Sequence, residues 1–191
     1  MFIQTEPTPN PATLKFLPGR VVMPDGTFDA TSPERAARSP LAQSLFAVPG
    51  VSGVFLGHDF VSVTRDEGEA GGTGTWQTLK PAVLGAIMEH FLSGRPVVAA
   101  DADAGDEDEE FFDPADLETV ETIKDLLETR VRPAVAGDGG DISFRGYRDG
   151  VVYLAMKGAC AGCPSSTATL RQGVQNLFRH FLPEIREVQA I

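Results

Sequence analysis

Cys160 and Cys163 are the only two cysteines in a chain of 191 residues, three positions apart. They stand in the stretch Gly158-Ala159-Cys160-Ala161-Gly162-Cys163-Pro164-Ser165-Ser166. A lone Cys-x-x-Cys pair is open to three chemistries: thiolates on an iron–sulfur cluster, thiol–disulfide exchange, or structural zinc. A conventional all-cysteine iron–sulfur cluster takes four thiolates, and so does a four-cysteine zinc site. This chain supplies two. The simplest closure is a second copy, because a two-fold interface brings identical patches together. Cys160 and Cys163 are therefore the candidate cluster-binding, metal-ligating residues, and a homodimer formed on cluster binding is the expected assembly. A shallow site shared by two subunits suits a donor better than a permanent electron carrier. The alternative is a thiol–disulfide oxidoreductase using the same two cysteines. Against it, the spacer is Ala161-Gly162 and no aromatic–Cys-Gly-Pro-Cys pattern is present.

The surrounding elements place both sulfurs between a strand and a helix. Residues 151–156 read as a strand, and a helix is expected from Pro164 to about Phe181, with Leu170, Val174, Leu177, Phe178 and Phe181 on one face. Unpaired N–H groups and the helix dipole at such an N-terminus favour an anion, which predicts a lowered cysteine pKa and more thiolate. Gly158 and Gly162 allow the backbone to bend close to a bulky inorganic core. Histidine offers little help as a further ligand. His58 and His90 lie in the first half of the chain. His180 lies roughly 25 Å along the helix at 1.5 Å per residue.

Upstream, Asp113-Pro114 starts a helix whose buried face is Leu117, Val120, Ile123, Leu127 and Val131, with Pro133 as its end. Asp138-Gly139-Gly140-Asp141 reads as a tight turn that also has a chance of shaping the cluster's surroundings. Residues 142–147 and 151–156 form a hairpin about Asp149-Gly150, and residues 185–191 a last strand. The order is α-β-β-α-β, a helix pair on a small three-stranded sheet.

The first hundred residues read as a second small α+β domain. Strands are expected at 2–6, 13–17, 51–56 and 60–64, with a further short one at 21–23. Ser39-Pro40 starts a short helix to Ala47. Leu79, Val83, Leu84, Ile87, Met88 and Phe91 mark an apolar face on a helix over about 80–92, stopped by Ser93-Gly94. Trp76 reads as a packing anchor. Fold class is therefore α+β: two small α/β-sandwich-type domains at 1–95 and 113–191, joined by a flexible acidic linker at 96–112.

Net charge is −11, and it is concentrated: residues 101–115 hold eight acids and no base. Such a run stays solvated and reads as a linker. A chain this acidic is a poor ligand for nucleic acid. No apolar run approaches the ~18–20 residues of a membrane span. Residues 1–6 lack the basic and apolar regions of a secretory signal and the Arg-rich look of a transit peptide, so a cytoplasmic location is expected. No Walker loop, dinucleotide fingerprint or hydrolase triad is present, and no enzyme activity is expected.

Two motifs in series resemble one family. Asp138-Gly139-Gly140-Asp141, a hairpin and then Gly158-x-Cys160-x-x-Cys163-Pro164-Ser165-Ser166 is similar to the C-terminal NifU-like domain of Nfu proteins. The opening Gln4-Thr5-Glu6-Pro7-Thr8-Pro9-Asn10-Pro11-Ala12-Thr13-Leu14-Lys15-Phe16 resembles their N-terminal domain. The resemblance implies a scaffold or carrier that binds a 4Fe-4S cluster between two protomers through Cys160 and Cys163. It also implies upstream cluster assembly proteins and recipient apo iron–sulfur enzymes as partners. Thiolate counting alone leaves 2Fe-2S equally open.

Overall fold

The computed structural model describes residues 1–67, 75–99, 110–161 and 164–191, with the backbone alone for residues 164–166. The expected acidic linker falls largely outside these residues. The chain divides into two compact units, Met1–Gly105 and Asp106–Ile191.

The first unit is built on a five-stranded antiparallel sheet in the order β1-β2-β5-β4-β3. Its strands are β1 (Gln4–Pro7), β2 (Thr13–Leu17), β3 (Phe28–Ala30), β4 (Val51–Leu56) and β5 (Val61–Arg65). The short helices α1 (Pro33–Ala36) and α2 (Pro40–Phe46) precede β4, and α3 (Trp76–Ser93) follows β5. Strand alternation decides what reaches the core. Phe16, Val54, Leu56, Val61 and Val63 pack with Leu41 and Leu45 of α2 and Val83 and Ile87 of α3. Lys15, one residue from Phe16, sets its ammonium 4.8 Å from the Phe60 ring centre. Trp76 stacks obliquely on Phe16, with ring centres 6.5 Å apart. Ser39 caps α2 by accepting from the Ala42 N–H at 3.1 Å.

Two expectations change here. Residues 21–23 are not a strand, although Val22 and Met23 donate backbone hydrogen bonds to the His58 carbonyl. The edge strand is β3 instead, three residues paired with β4, too short for any periodic pattern. The α3 face is also narrower than its pattern, since Met88 is exposed while His90 is fully buried.

The second unit runs α4 (Leu117–Leu126), α5 (Arg132–Gly137), β6 (Gly140–Arg148), β7 (Val151–Gly158), α6 (Pro164–Phe181) and β8 (Glu187–Ala190). A 3-10 turn at Pro114–Asp116 leads into α4, capped by Asp113. The sheet order is β6-β7-β8; β6 and β7 are antiparallel, and β8 returns parallel to β7 after α6. Asp149 (φ 52°) and Gly150 (φ 79°) make the left-handed hairpin turn. Val120, Ile123, Val131, Ile142, Leu154, Val174 and Phe178 form the core. Leu117 and Phe181, both expected on buried faces, are exposed.

Pro133 does not end its helix. A π-turn at Leu127–Val131 precedes it, closed by the Arg132 N–H on the Leu127 carbonyl, and α5 then continues. Proline lacks an N–H and its ring collides with the carbonyl four residues back in a regular helix; the wider turn relieves both.

His90 is fully buried, and neither ring nitrogen has a hydrogen-bond partner. Burial first, then the Arg95 charge, push its pKa down from the ordinary 6.5. The folded state therefore binds fewer protons than the unfolded one. This stability is complete above about pH 6.5 and is lost as pH falls toward the depressed folded value. Melting followed by Trp76, the single tryptophan, is expected to drop between about pH 7 and pH 5. His90→Phe should flatten that slope; an unchanged slope would assign it to other groups.

Candidate metal centre

Cys160 follows β7 in a turn, and its side chain is 7% exposed, packed into the core of the second unit. Three contacts set the loop. The Ala159 N–H donates to the Gly139 carbonyl at 3.2 Å, and the Ala161 N–H to the Gly158 carbonyl at 3.1 Å. From α6, the Thr167 hydroxyl donates to the Cys160 carbonyl at 2.9 Å. Gly158, with φ 66°, turns the chain out of β7.

The cysteine turn rests on the Asp138-Gly139-Gly140-Asp141 turn. A Cβ on Gly140 would stand 2.6 Å from the Lys157 carbonyl oxygen and 2.8 Å from Cys160 Sγ. Real atoms do not approach so closely, so only glycine lets the two turns meet. Next to it, Asp141 is buried at 7% exposure. Arg132 holds it through two parallel bonds, Nε to Oδ1 at 2.9 Å and Nη2 to Oδ2 at 3.0 Å. The same guanidinium donates from Nη1 to Glu128 Oε2 at 2.6 Å. A buried carboxylate needs such a partner, and the planar fork of arginine supplies it. The Asp141 hydrogen bond is the main cause that raises the Arg132 pKa above its ordinary value.

The thiol itself departs from expectation. Burial, followed by the charges of Asp138 and Asp141, pushes the Cys160 pKa up to about 12. The sequence argument placed both sulfurs at a helix N-terminus. Cys160, however, lies four residues before α6 begins at Pro164, and the helix-end effect fades within about one turn. A metal cation or cluster that displaces the proton would reverse the balance.

Cys163 and Gly162 lie outside the described residues. The donor set that the structure describes is thus one thiol, soft enough for iron or zinc. Among the described residues, no group of three His, Cys, Asp or Glu side chains is placed to hold a metal ion. His58 pairs its Nδ1 with the Met23 carbonyl at 3.0 Å. His180 lies edge-on to Phe181, with ring centres 5.0 Å apart. Sequence reasoning did not reach Arg132 or Thr167. The doublet of glycines between two aspartates was the available signal for the turn beneath Cys160.

Comparison with known proteins gives two family matches. Residues 3–94 match the family described as scaffold protein Nfu/NifU N terminal, and residues 123–189 match the NifU-like domain. The human protein named NFU1 iron-sulfur cluster scaffold homolog, mitochondrial, is 44% identical over 191 residues, covering 100% of this chain and 72% of its own length. The Arabidopsis thaliana protein named NifU-like protein 4, mitochondrial, is 44% identical over 99% of this chain and 65% of its own length. A solution NMR structure of a NifU-like protein from Saccharomyces cerevisiae aligns over 53% of this chain and 87% of its own, at 24% identity and TM-score 0.41. The relatives' names correct one expectation. They are mitochondrial proteins in human, Drosophila and Arabidopsis, so the cytoplasmic location does not stand. Among the described residues, no helix is long and apolar enough to cross a membrane.

Gly140→Ala should force the cysteine turn off its seat. We expect a loss of about 1–3 kcal/mol in the second unit's stability, read by thermal melting. An unchanged melt would show that the two turns separate at no cost.

Proposed function

The chain belongs to the Nfu family of iron–sulfur cluster scaffold proteins, and on that premise we propose that two copies hold one cluster between them. Cys160 and Cys163 of each copy would provide the four thiolates. The cluster is cargo: it is assembled on or passed to this chain by upstream assembly proteins and delivered to apo iron–sulfur proteins. A 4Fe-4S cluster is the reading taken, and the chain carries out no catalysis of its own. We read it as an Nfu-type domain at 1–95, a linker at 96–112 and a cluster-binding domain at 113–191.

The observation that carries this reading is the seat of Cys160. Its turn is held from two sides, by the Gly139 carbonyl and by Thr167. A thiol fixed in this way presents a ligand at a reproducible position, which a soft metal centre needs. The chain's residues would then do three things. Gly140 gives the turn room, Arg132 with Asp141 keeps the supporting turn rigid, and Thr167 ties the loop to α6. The rival reading, thiol–disulfide exchange, needs an accessible attacking sulfur. Insulin reduction by the dithiol separates the two readings: robust turnover would favour exchange.

Anaerobic reconstitution followed by Mössbauer spectroscopy and mass measurement in solution tests the reading. The expected result is four irons per two chains. Cys160→Ser or Cys163→Ser should abolish iron retention and delivery. Iron and sulfide bound by a monomer would overturn the shared site. A spectrum of two-iron centres would overturn the nuclearity.

A further inference from the structure

We propose that a cavity in the first unit is a docking pocket for an acidic peptide segment of a partner protein that carries one apolar side chain. The cavity measures about 470 Å³ and opens between residues 20–25 and residues 94–99. That size falls within the roughly 300–1,000 Å³ of ligand pockets. Its floor is apolar: Val22 and Met23 are buried, and Phe91, Val97 and Val98 are half-buried. Its rim is polar and exposed, carrying Arg20, Arg95 and Asp25.

Both walls are pinned, so the cavity is formed before anything enters. Residues 22 and 23 donate to the His58 carbonyl at 2.7 and 3.2 Å, and His58 Nδ1 returns a bond to the Met23 carbonyl. On the other side, the Ser39 hydroxyl donates to the Val97 carbonyl, and the Ala99 N–H donates to the Arg38 carbonyl at 3.0 Å. Neither wall is helix or strand, yet one is tied to the β4–β5 turn at His58 and the other to the start of α2 at Arg38 and Ser39. Preformed walls reduce the ordering cost of binding.

The rim selects the occupant's charge. Arg20 and Arg95 have no carboxylate partner among the described residues, in a chain whose net charge is −11. Both are nonetheless held in place. The Arg20 guanidinium lies 4.8 Å over the Phe91 ring, and Arg95 Nε donates to the Ser93 hydroxyl at 3.2 Å. Two oriented cations against the single acid Asp25 attract carboxylates and repel a basic segment. Exposed Val21 extends the apolar surface to the mouth. An apolar floor inside a charged, solvated rim is the layout of a protein-binding pocket. A small ligand would call for buried polar anchors, and bare phosphate would leave the floor unfilled.

The test uses the full chain without cargo, so its failure would leave the cysteine reading standing. A fluorescein-labelled peptide with a central phenylalanine between two pairs of glutamates is titrated by anisotropy. Binding in the range of about 10–100 µM is expected, weakening with added salt. Arg20→Glu with Arg95→Glu should weaken it roughly tenfold. The peptide with serine for phenylalanine should lose roughly tenfold or more. Arg20→Lys with Arg95→Lys, and an intact Trp76-monitored melt for every variant, separate charge from folding. Equal affinity for wild type and the glutamate variant would overturn the proposal, as would equal loss in the glutamate and lysine variants. No binding below about 1 mM would do the same. Decanoate binding as tightly as the peptide would assign the cavity to a small carboxylate instead. Self-association abolished by the glutamate variant would assign it to a second copy; either result overturns the peptide reading.

Discussion

The second unit depends on how closely two turns can approach. The turn leaving β7 carries Cys160, and the turn entering β6 carries Gly139 and Gly140. Their backbones are joined by the Ala159 N–H on the Gly139 carbonyl, and Gly140 lies so near Cys160 Sγ that a methyl group has no space. The antiparallel ladder enforces this meeting, because Gly140 pairs with Gly158 at the open end of the hairpin. A hairpin shifted by one residue would put side chains where hydrogen atoms now stand. Cysteine position is thus a property of strand register as much as of the loop itself.

Register in turn needs the turn at the start of β6 to stay rigid, which explains the charged groups beside it. Asp141 is buried next to an apolar core, where an unpaired carboxylate is strongly disfavoured. Arg132 answers it with both arms of its guanidinium, from the position directly after the π-turn. The π-turn at Leu127–Val131 accommodates the proline that follows, and Arg132, between the two, faces Asp141. π-bulges recur near functional positions for this reason: they re-aim a side chain without ending the helix. The chain also covers the free edge of β6, where Phe111 accepts from the Tyr147 N–H at 2.9 Å and donates to the Arg145 carbonyl at 3.1 Å. An edge so occupied is a poorer template for pairing with another chain.

The first unit solves a different problem. Its sheet is closed on one face by α2 and α3, and the connections at 20–25 and 94–99 are irregular yet tied down at Val22, Met23, Val97 and Ala99. One buried group stands apart from this good order. His90 lies at the core side of α3, outside the apolar pattern read for that helix, and neither ring nitrogen has a partner.

Periodicity and punctuation alone determined much of this protein. Alternation marked β2, β4, β5, β6 and β7 and the 3.6-residue pattern marked α3, α4 and α6, because both follow from local geometry and from which face must leave water. Ser39, Asp113, Gly94 and Asp149-Gly150 acted as caps and turns because their preferences are local. The cysteine pair and the two series motifs likewise pointed to the family and supplied the candidate ligands. Tertiary structure decided what depends on contacts between distant residues. It placed Phe28–Ala30 on the sheet edge, let Pro133 stand inside a helix and drove Met88 outward while taking His90 in. It set the Cys160 thiol high, where helix-end reasoning put it low. It also turned Gly140 from a turn residue into the floor under a sulfur. Burial, desolvation and close approach are sums over neighbours far apart in the chain, and no window of consecutive residues contains them.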